Sequence, residues 1–265
     1  LIEIYSNWIS RDKILTTNVW SSELSKLASN AMLAQRISSI NSLSALCEKT
    51  GANISELSSA IGMDHRIGPK FLNASVAFGG SCFQKDILNL VYLCKHYGLH
   101  EVAEFWHQVI KINNYQRNRF SQTIINELDS NVKDKIITIL GWAFKKDTND
   151  SRESASIYVA VNLILEGALL NIFDPMVIKS RIKSDIEDVL VARGLSKSRI
   201  ESTLERVNIL SNHKDAIKDS AAIAILTEWD EFKTYNWDQI ISNSQKVKIF
   251  DGRDIIPNAH YSIGK

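Results

Sequence analysis

The stretch KIITILG, residues 135–141, is the clearest indication of the fold that this chain adopts. It is a short run of mostly β-branched apolar residues that ends in glycine, which is typical of a buried parallel strand. Four more apolar runs follow it, LLNIF, RVNIL, AAIAIL and KVKIF, with helical patterns between some of them. Because strands alternate with helices, residues 131–265 are predicted to form an α/β domain of Rossmann type with a parallel sheet.

The residues before this stretch have a helical period instead. From Ser21 onwards apolar residues recur every three or four positions, and Gly51 ends the run. Three more helices are expected, from about Ile54 to Ile61, from near Cys82 to Gly98, and from near His100 to Leu128. We therefore expect an all-α central domain over residues 19–130. The long last helix would join it to the α/β domain.

Composition excludes several classes of protein. The formal net charge of the 265 residues is +1, so nothing points to nucleic acid. No apolar run reaches the roughly 18 residues of a membrane span. The three cysteines are irregularly spaced, which argues against a disulfide framework and against a metal site. A reducing, cytoplasmic location fits best.

The stretch FGGSCFQKD, residues 78–86, is the strongest chemical signal. Cys82 and Asp86 are four residues apart, so they share one face of a helix that begins near Ser81. The preceding Gly79-Gly80 pair permits close backbone approach, and a helix amino terminus favours a thiolate. Lone cysteines are nevertheless more often small buried hydrophobes, which is the interpretation for Cys47 and Cys94.

A second polar pair, Lys26 and Asn30, lies on one face of the first long helix. Such a pair is commonly a solvated helix face. Combined with Cys82 and Asp86, however, it would complete a set for covalent acyl chemistry. The set contains a nucleophile, a cation and an amide for an oxyanion, and a carboxylate that steers water.

Three segments carry a resemblance to a known family. Residues 23–52, 62–86 and 141–154 resemble the UDP-glucose 6-dehydrogenases, particularly the animal type, and GGSCFQKD and FKKDT keep the family's order and spacing. The resemblance implies that NAD oxidises the C6 alcohol of UDP-glucose to the carboxylate of UDP-glucuronate. It implies that Cys82 holds a thiohemiacetal and then a thioester. Lys26 and Asn30 would stabilise the oxyanion, and Asp86 would orient the hydrolytic water.

The resemblance also implies binding residues. The nucleotide sugar would contact Arg66, Asn73, Ser75, Phe78, Gly79, Phe144, Lys145 and Arg253, with Arg66 reaching a neighbouring subunit. NAD would be approached by Arg152 and Lys85. Without the family, Lys145 and the arginines would equally be surface charges. Two positions depart from the animal-type pattern, Asn73 in place of lysine and Ala77 in place of glycine, and residues 191–205 look longer than the family norm.

The dinucleotide fingerprint G-x-G-x-x-G occurs nowhere in the chain. Asp174, which ends NIFD, mimics a ribose-binding acid but equally fits an ordinary turn. Residues 1–18 are therefore interpreted as the remnant of a preceding NAD-binding domain that lies before Leu1. This chain alone is expected to bind uridine nucleotides without oxidising UDP-glucose.

The assembly expected from the resemblance is a homodimer through the central helices, or a larger oligomer built from it. Two alternatives stay open. Instead of a UDP-glucose 6-dehydrogenase, the chain would be part of another nucleotide-sugar dehydrogenase, or a non-catalytic module that binds nucleotide sugars or dimerises. The paired Cys82 and Asp86 favour an enzyme, because a binding module needs neither.

Overall fold

The computed structural model of the chain describes residues 1–243, 247–257 and 259–265. Its first half is helical and its second half is α/β, as the change of period near Lys135 predicts. The first half contains α1 (Ile2–Tyr5), a 3-10 helix (Arg11–Lys13), α2 (Val19–Thr50), α3 (Ile54–Gly62), α4 (Phe83–His96) and α5 (His100–Glu127). The second half contains β1 (Ile136–Leu140), α6 (Ala155–Leu165), β2 (Leu169–Phe173), α7 (Lys179–Ala192), α8 (Lys197–Leu204), β3 (Val207–Ile209), α9 (His213–Ile217), β4 (Ala222–Ile225), α10 (Asp230–Lys233), α11 (Trp237–Asn243), β5 (Lys248–Asp251) and β6 (Tyr261–Ser262).

Helix α2 has clear signals at both ends. The side chain of Asn18 accepts a hydrogen bond from the Ser21 N–H at 2.8 Å, which satisfies one of the free donors of the first turn. Gly51 ends the helix with a φ of 78°, a left-handed conformation that glycine adopts without steric cost. Ala31 and Ala34 are fully buried on the face towards α4 and α5. Their small side chains let these helices pack closely.

The strands form a parallel sheet in the order β3-β2-β1-β4-β5-β6. The register pairs Ile137 of β1 with Leu170 on one side and with Ala222 on the other. The five strands expected from the sequence are all present, although Lys246, the first residue of KVKIF, lies outside the described residues. Strand β6 was not expected. The predicted α/β domain of Rossmann type with a parallel sheet is confirmed.

Helix α5 belongs to both halves of the molecule. Its Val109 and Ile110 are buried against α2 and α4, whereas Phe120 and Ile124 are buried in the large core of the α/β half. The helix has 28 residues, so it is about 42 Å long at the usual rise per residue. The predicted connecting helix is therefore present, and it fixes the two halves around a common cleft.

The carboxyl-terminal residues provide a second connection. The side chain of Glu48, near the end of α2, accepts hydrogen bonds from the Tyr261 hydroxyl and the Gly264 N–H, both at 2.8 Å. Ile54 N–H donates to the Gly264 carbonyl at 2.9 Å. These bonds tie the last strand to the helical half. In the described part of the chain, no helix is long and apolar enough to cross a bilayer.

Candidate active site

Cys82 occupies the N-cap position of α4 and is exposed, with Ser81 Oγ 3.8 Å from its sulfur. Its side chain makes no capping hydrogen bond, so the thiol is not engaged with the helix. Cys47 and Cys94 are both buried and free. The sequence-based distinction between one accessible cysteine and two buried ones is therefore confirmed.

Alkylation of the intact chain is expected to modify Cys82 first. Iodoacetamide reaches an exposed thiol directly, but it reaches a buried one only after local opening of the structure. Peptide mapping by mass spectrometry should therefore show at least about tenfold faster labelling of Cys82 than of Cys47 or Cys94. Faster labelling of either buried cysteine would contradict the assignment of Cys82 as the reactive thiol.

Three of the predicted polar groups meet one helical turn after Cys82, where Lys26 and Asn30 both contact Asp86. The Asp86 side chain is 3% exposed, and its Oδ2 accepts hydrogen bonds from Lys26 Nζ and, at 2.5 Å, from Asn30 Nδ2. Burial opposes ionisation of this carboxyl, but the hydrogen bonds from Lys26 and Asn30 prevail and lower the pKa of Asp86 below its ordinary value. The carboxylate is thus kept ionised beside the start of α4. The face of α2 that carries Lys26 and Asn30 therefore meets the face of α4 that carries Asp86.

A cavity of about 550 Å³ lies between the two halves. It is lined by residues that follow β1, β4 and β5, at the carboxyl ends of the strands, where open parallel sheets bind ligands. The lining includes seven residues that the resemblance assigns to the nucleotide sugar: Asn73, Ser75, Phe78, Gly79, Phe144, Lys145 and Arg253. It also includes Ile37, Phe71, Phe83 and Glu228, which sequence reasoning did not identify. The volume suits a nucleotide-sized ligand.

Three buried amide side chains hold the loop that lines this cavity. Asn41 accepts a hydrogen bond from the Ser75 N–H at 2.8 Å, and Gln116 donates one to the Ser75 carbonyl at 2.9 Å. Asn113 accepts from the Phe78 N–H at 2.9 Å and donates to the Phe78 carbonyl at 3.0 Å. Sequence reasoning missed these residues. Their signal was a set of uncharged polar residues on otherwise apolar helix faces.

Arg253 is held at the cavity wall by the backbone around it. Its Nε donates to the Leu226 carbonyl at 2.7 Å and lies 3.3 Å from Glu228 Oε2. The turn itself is organised by Asp251, a fully buried carboxylate that accepts hydrogen bonds from three backbone N–H groups, including that of Arg253. Burial raises the pKa of Asp251 despite these bonds. Arg253 is therefore a preorganised cation.

The double glycine before Cys82 is closely packed against other parts of the chain. A Cβ on Gly79 would lie 2.6 Å from the Glu153 carbonyl oxygen and 2.9 Å from Phe144 Cβ. Gly80 has a φ of 87°, and a Cβ there would meet the Phe144 ring at 3.0 Å. Both glycines thus permit a close approach of other parts of the chain. They mainly make room for the loop after β1 and for the residues before α6.

The remaining predicted contacts lie apart from this cavity. Lys85 and Arg152 line a second cavity of about 460 Å³ on the Ser81 side of α4. Arg66 lines neither cavity. Its exposed guanidinium pairs with Asp64 at 2.7 Å. Within residues 1–243, 247–257 and 259–265, no group of His, Cys, Asp or Glu side chains could hold a metal ion.

Asp174 has a structural role that excludes a free ribose-binding acid. Its carboxylate accepts hydrogen bonds from the Trp142 and Ala143 N–H groups after β1, at 2.6 and 3.1 Å. It also accepts from the Met176 and Val177 N–H groups and from the Trp229 indole. The interpretation of FDP as a turn is the one that these bonds favour. The carboxylate also fixes the backbone that leads to Phe144.

Comparisons with protein families match most of the chain. Residues 20–115 match the model of the UDP-glucose/GDP-mannose dehydrogenase family, central domain. Residues 138–258 match the model of the same family's UDP binding domain. The first match contains the Cys82 helix, and the second contains Phe144, Lys145 and Arg253.

Individual proteins give a consistent result. The whole chain is 50% identical to UDP-glucose 6-dehydrogenase 3 of Arabidopsis thaliana and covers 58% of that protein. It is 54% identical, over 98% of its length, to UDP-glucose 6-dehydrogenase of Pongo abelii and covers 52% of that protein. The structure of a UDP-glucose dehydrogenase from Pyrobaculum islandicum superposes with a TM-score of 0.72 at 26% identity, over 91% of this chain and 50% of the other. The chain therefore spans about half the length of these relatives.

Proposed function

We propose that this chain, which belongs to the UDP-glucose/GDP-mannose dehydrogenase family, is the substrate-binding and nucleophile-bearing part of an NAD-dependent UDP-glucose 6-dehydrogenase. The observation that carries the proposal is the contact of Lys26 and Asn30 with Asp86, one helical turn behind the exposed Cys82. A nucleotide-binding module without chemistry has no need for this group beside a thiol. The 550 Å³ cavity opens next to it, because Phe78, Gly79 and Phe83 line that cavity.

In the proposed reaction the Cys82 thiolate attacks C6 of the sugar aldehyde, and the carbonyl electrons move onto oxygen. Lys26 and Asn30 stabilise the resulting oxyanion of the thiohemiacetal. Loss of hydride from C6 turns this species into a thioester. Water then attacks the thioester carbonyl with Asp86 as orienting base, which releases the carboxylate and returns the thiol. A preorganised ionised Asp86 fits this last step.

The cofactor supplies one kind of chemistry, the acceptance of hydride from C6 in each oxidation. The described residues offer two cations towards it, Lys85 and Arg152, at the second cavity. They suit phosphate oxygens, but no glycine-rich phosphate loop accompanies them. We propose that most of the NAD site is supplied by residues other than those of this chain. On that proposal the chain alone binds uridine nucleotides without oxidising UDP-glucose.

The uridine part of the proposal is tested with the chain itself. Lys145 is exposed at the rim of the cavity, with no salt bridge to any residue that the structure describes, and is available for a phosphate. Replacing Lys145 with Ala should weaken UDP binding about tenfold or more, the usual worth of a charge-assisted hydrogen bond. Isothermal titration calorimetry measures the change.

The neighbouring Lys146 provides a matched control. It pairs with Asp230 at 2.6 Å and does not line the cavity, so Lys146→Ala should leave the UDP affinity within about twofold. Equal weakening by both substitutions would indicate only a general loss of positive charge. No measurable UDP binding by the unsubstituted chain would count against the proposed substrate site.

The chain is also proposed to form a homodimer, or a larger oligomer built from it, through the central helices. Support comes from apolar side chains of α2 that stay exposed in the single chain, at Leu24, Met32, Leu43 and Leu46. Light scattering at micromolar concentration should report at least a dimer, and a monomer would contradict this. Three free cysteines support a reducing, cytoplasmic location.

A further inference from the structure

Glu153 has an unusual backbone beside the double glycine. Its φ is +54°, in the left-handed region, which is sterically unfavourable for residues other than glycine. It lines the second cavity together with Ser81 and Lys85, and its carbonyl oxygen packs against Gly79. Such a conformation persists only where the surroundings impose it.

The φ of Glu153 determines where the preceding carbonyl points. Rotation about the N–Cα bond of Glu153 turns the whole peptide group that contains the Arg152 carbonyl. That carbonyl accepts a hydrogen bond from the Gly80 N–H at 2.8 Å. If Glu153 relaxed to a negative φ, the Arg152 carbonyl would turn away and Gly80 would lose its acceptor. The backbone two residues before Cys82 thus depends on Glu153.

One side chain, Tyr158, contacts Glu153 directly, and a second, Arg117, packs on Tyr158. The Tyr158 hydroxyl, on α6, donates a hydrogen bond to Glu153 Oε2 at 2.7 Å. The guanidinium carbon of Arg117, on α5, lies 3.3 Å from the centroid of the Tyr158 ring. Arg117 is only 7% exposed, so this stacking is shielded from solvent. Burial, opposed only in part by Tyr158 and Glu153, lowers the pKa of Arg117, while burial and the Glu153 bond raise the pKa of Tyr158 to about 12. Tyr158 therefore remains a donor at physiological pH.

We propose that Tyr158, backed by Arg117, is a positioning residue that sets the Cys82 loop through Glu153 and the Arg152 carbonyl. The consequence for catalysis rests on the proposed function, but the structural coupling does not. Helix α5 thereby connects the core of the molecule to the nucleophile, although neither Arg117 nor Tyr158 lines either of the two cavities beside it. The coupling acts on the orientation of the thiol.

Amide hydrogen exchange on this chain tests the coupling directly. Tyr158→Phe removes only the hydroxyl, and exchange of the Gly80 N–H should become about tenfold faster, the effect of losing one hydrogen bond to a carboxylate. The Phe78 N–H serves as the internal reference, because Asn113 holds it independently. Its exchange should stay within about twofold in Tyr158→Phe. Unchanged exchange at Gly80, or equal acceleration at Phe78 from general destabilisation, would overturn the proposal.

Tyr235→Phe is the matched control variant. Its hydroxyl also bonds a glutamate, Glu231, but far along the chain and outside both cavities. This change should leave Gly80 exchange as it is in the unsubstituted chain. Glu153→Gln is a second test, because the amide oxygen still accepts from Tyr158. It should accelerate Gly80 exchange less than Tyr158→Phe does, and a larger acceleration would contradict the role of this hydrogen bond.

The kinetic arm uses the full-length enzyme. Tyr158→Phe should lower kcat for UDP-glucose oxidation about tenfold while KM stays within about twofold, since a misplaced nucleophile affects the chemical step and not substrate binding. A raised KM with unchanged kcat would contradict positioning of Cys82. If the unsubstituted enzyme does not oxidise UDP-glucose, the proposed function fails, whereas the exchange result still decides the coupling.

Discussion

Replacing Cys82 with alanine in the full-length protein is expected to lower kcat for UDP-glucuronate formation by at least about 1,000-fold, the scale on which loss of a covalent nucleophile acts. The reason is that the aldehyde would have no thiol to hold it for the second oxidation. UDP binding should be unchanged within about twofold, because Cys82 does not line the 550 Å³ cavity. Steady-state formation of NADH and calorimetric UDP titration measure the two quantities.

Cys94→Ala provides the control for this prediction. Cys94 lies on the same helix, three turns further along, but its thiol is buried among apolar side chains. Its removal should cost some stability and leave kcat within about twofold. A Cys82→Ala enzyme that keeps a tenth or more of the activity would show that the second oxidation proceeds without this thiol.

Asp174→Ala is expected to lower the free energy of unfolding by about 4 kcal/mol. The substitution leaves five donors without their acceptor: the N–H groups of Trp142, Ala143, Met176 and Val177 and the Trp229 indole. Four of these residues are buried, so water compensates poorly. Urea denaturation followed by circular dichroism measures the loss.

Two further variants serve as comparisons in the denaturation experiment. Asp174→Asn keeps one acceptor oxygen, so it should lose less stability than Asp174→Ala. Asp188→Ala removes an exposed carboxylate from α7 and should stay within about 0.5 kcal/mol of the unsubstituted chain. Loss of UDP affinity in Asp174→Ala at temperatures where the chain is still folded would show that Asp174 also orders the loop leading to Phe144. A loss of less than about 1 kcal/mol would contradict the structural role.

Much of the fold could be predicted from the sequence, because the spacing of apolar residues indicates which faces of the helices and strands are buried. Helix α2 ends just before Gly51, and β1 begins where the helical period of three or four residues gives way to a continuous apolar run. Strand β6 was missed because its two residues carry no pattern of their own. It forms where Glu48 accepts a hydrogen bond from the Tyr261 hydroxyl, and these two residues are 213 positions apart in the sequence.

The candidate site, too, could be predicted from the sequence only in part. The four-residue spacings of Lys26 with Asn30 and of Cys82 with Asp86 predicted which side chains share a face, and the structure brings three of them into contact. The roles came from the family resemblance. The residues that hold the Cys82 loop in place could not be predicted from the sequence. Asn113, on α5, and Glu153, in the turn before α6, lie against the Cys82 loop only in the folded chain, and no local pattern encodes that.

On the proposed function, Cys82 carries the substrate as a thioester. Asp86→Asn in the full-length protein should slow hydrolysis of that thioester, because the amide is a poor base, and should let the intermediate accumulate. The enzyme is mixed with UDP-glucose and excess NAD, quenched in acid, and its peptides are mapped by mass spectrometry. We expect a UDP-glucuronyl adduct on the peptide that contains Cys82, removed by hydroxylamine and absent when NAD is omitted. Slow turnover without any adduct, or an adduct on another residue, would contradict the account.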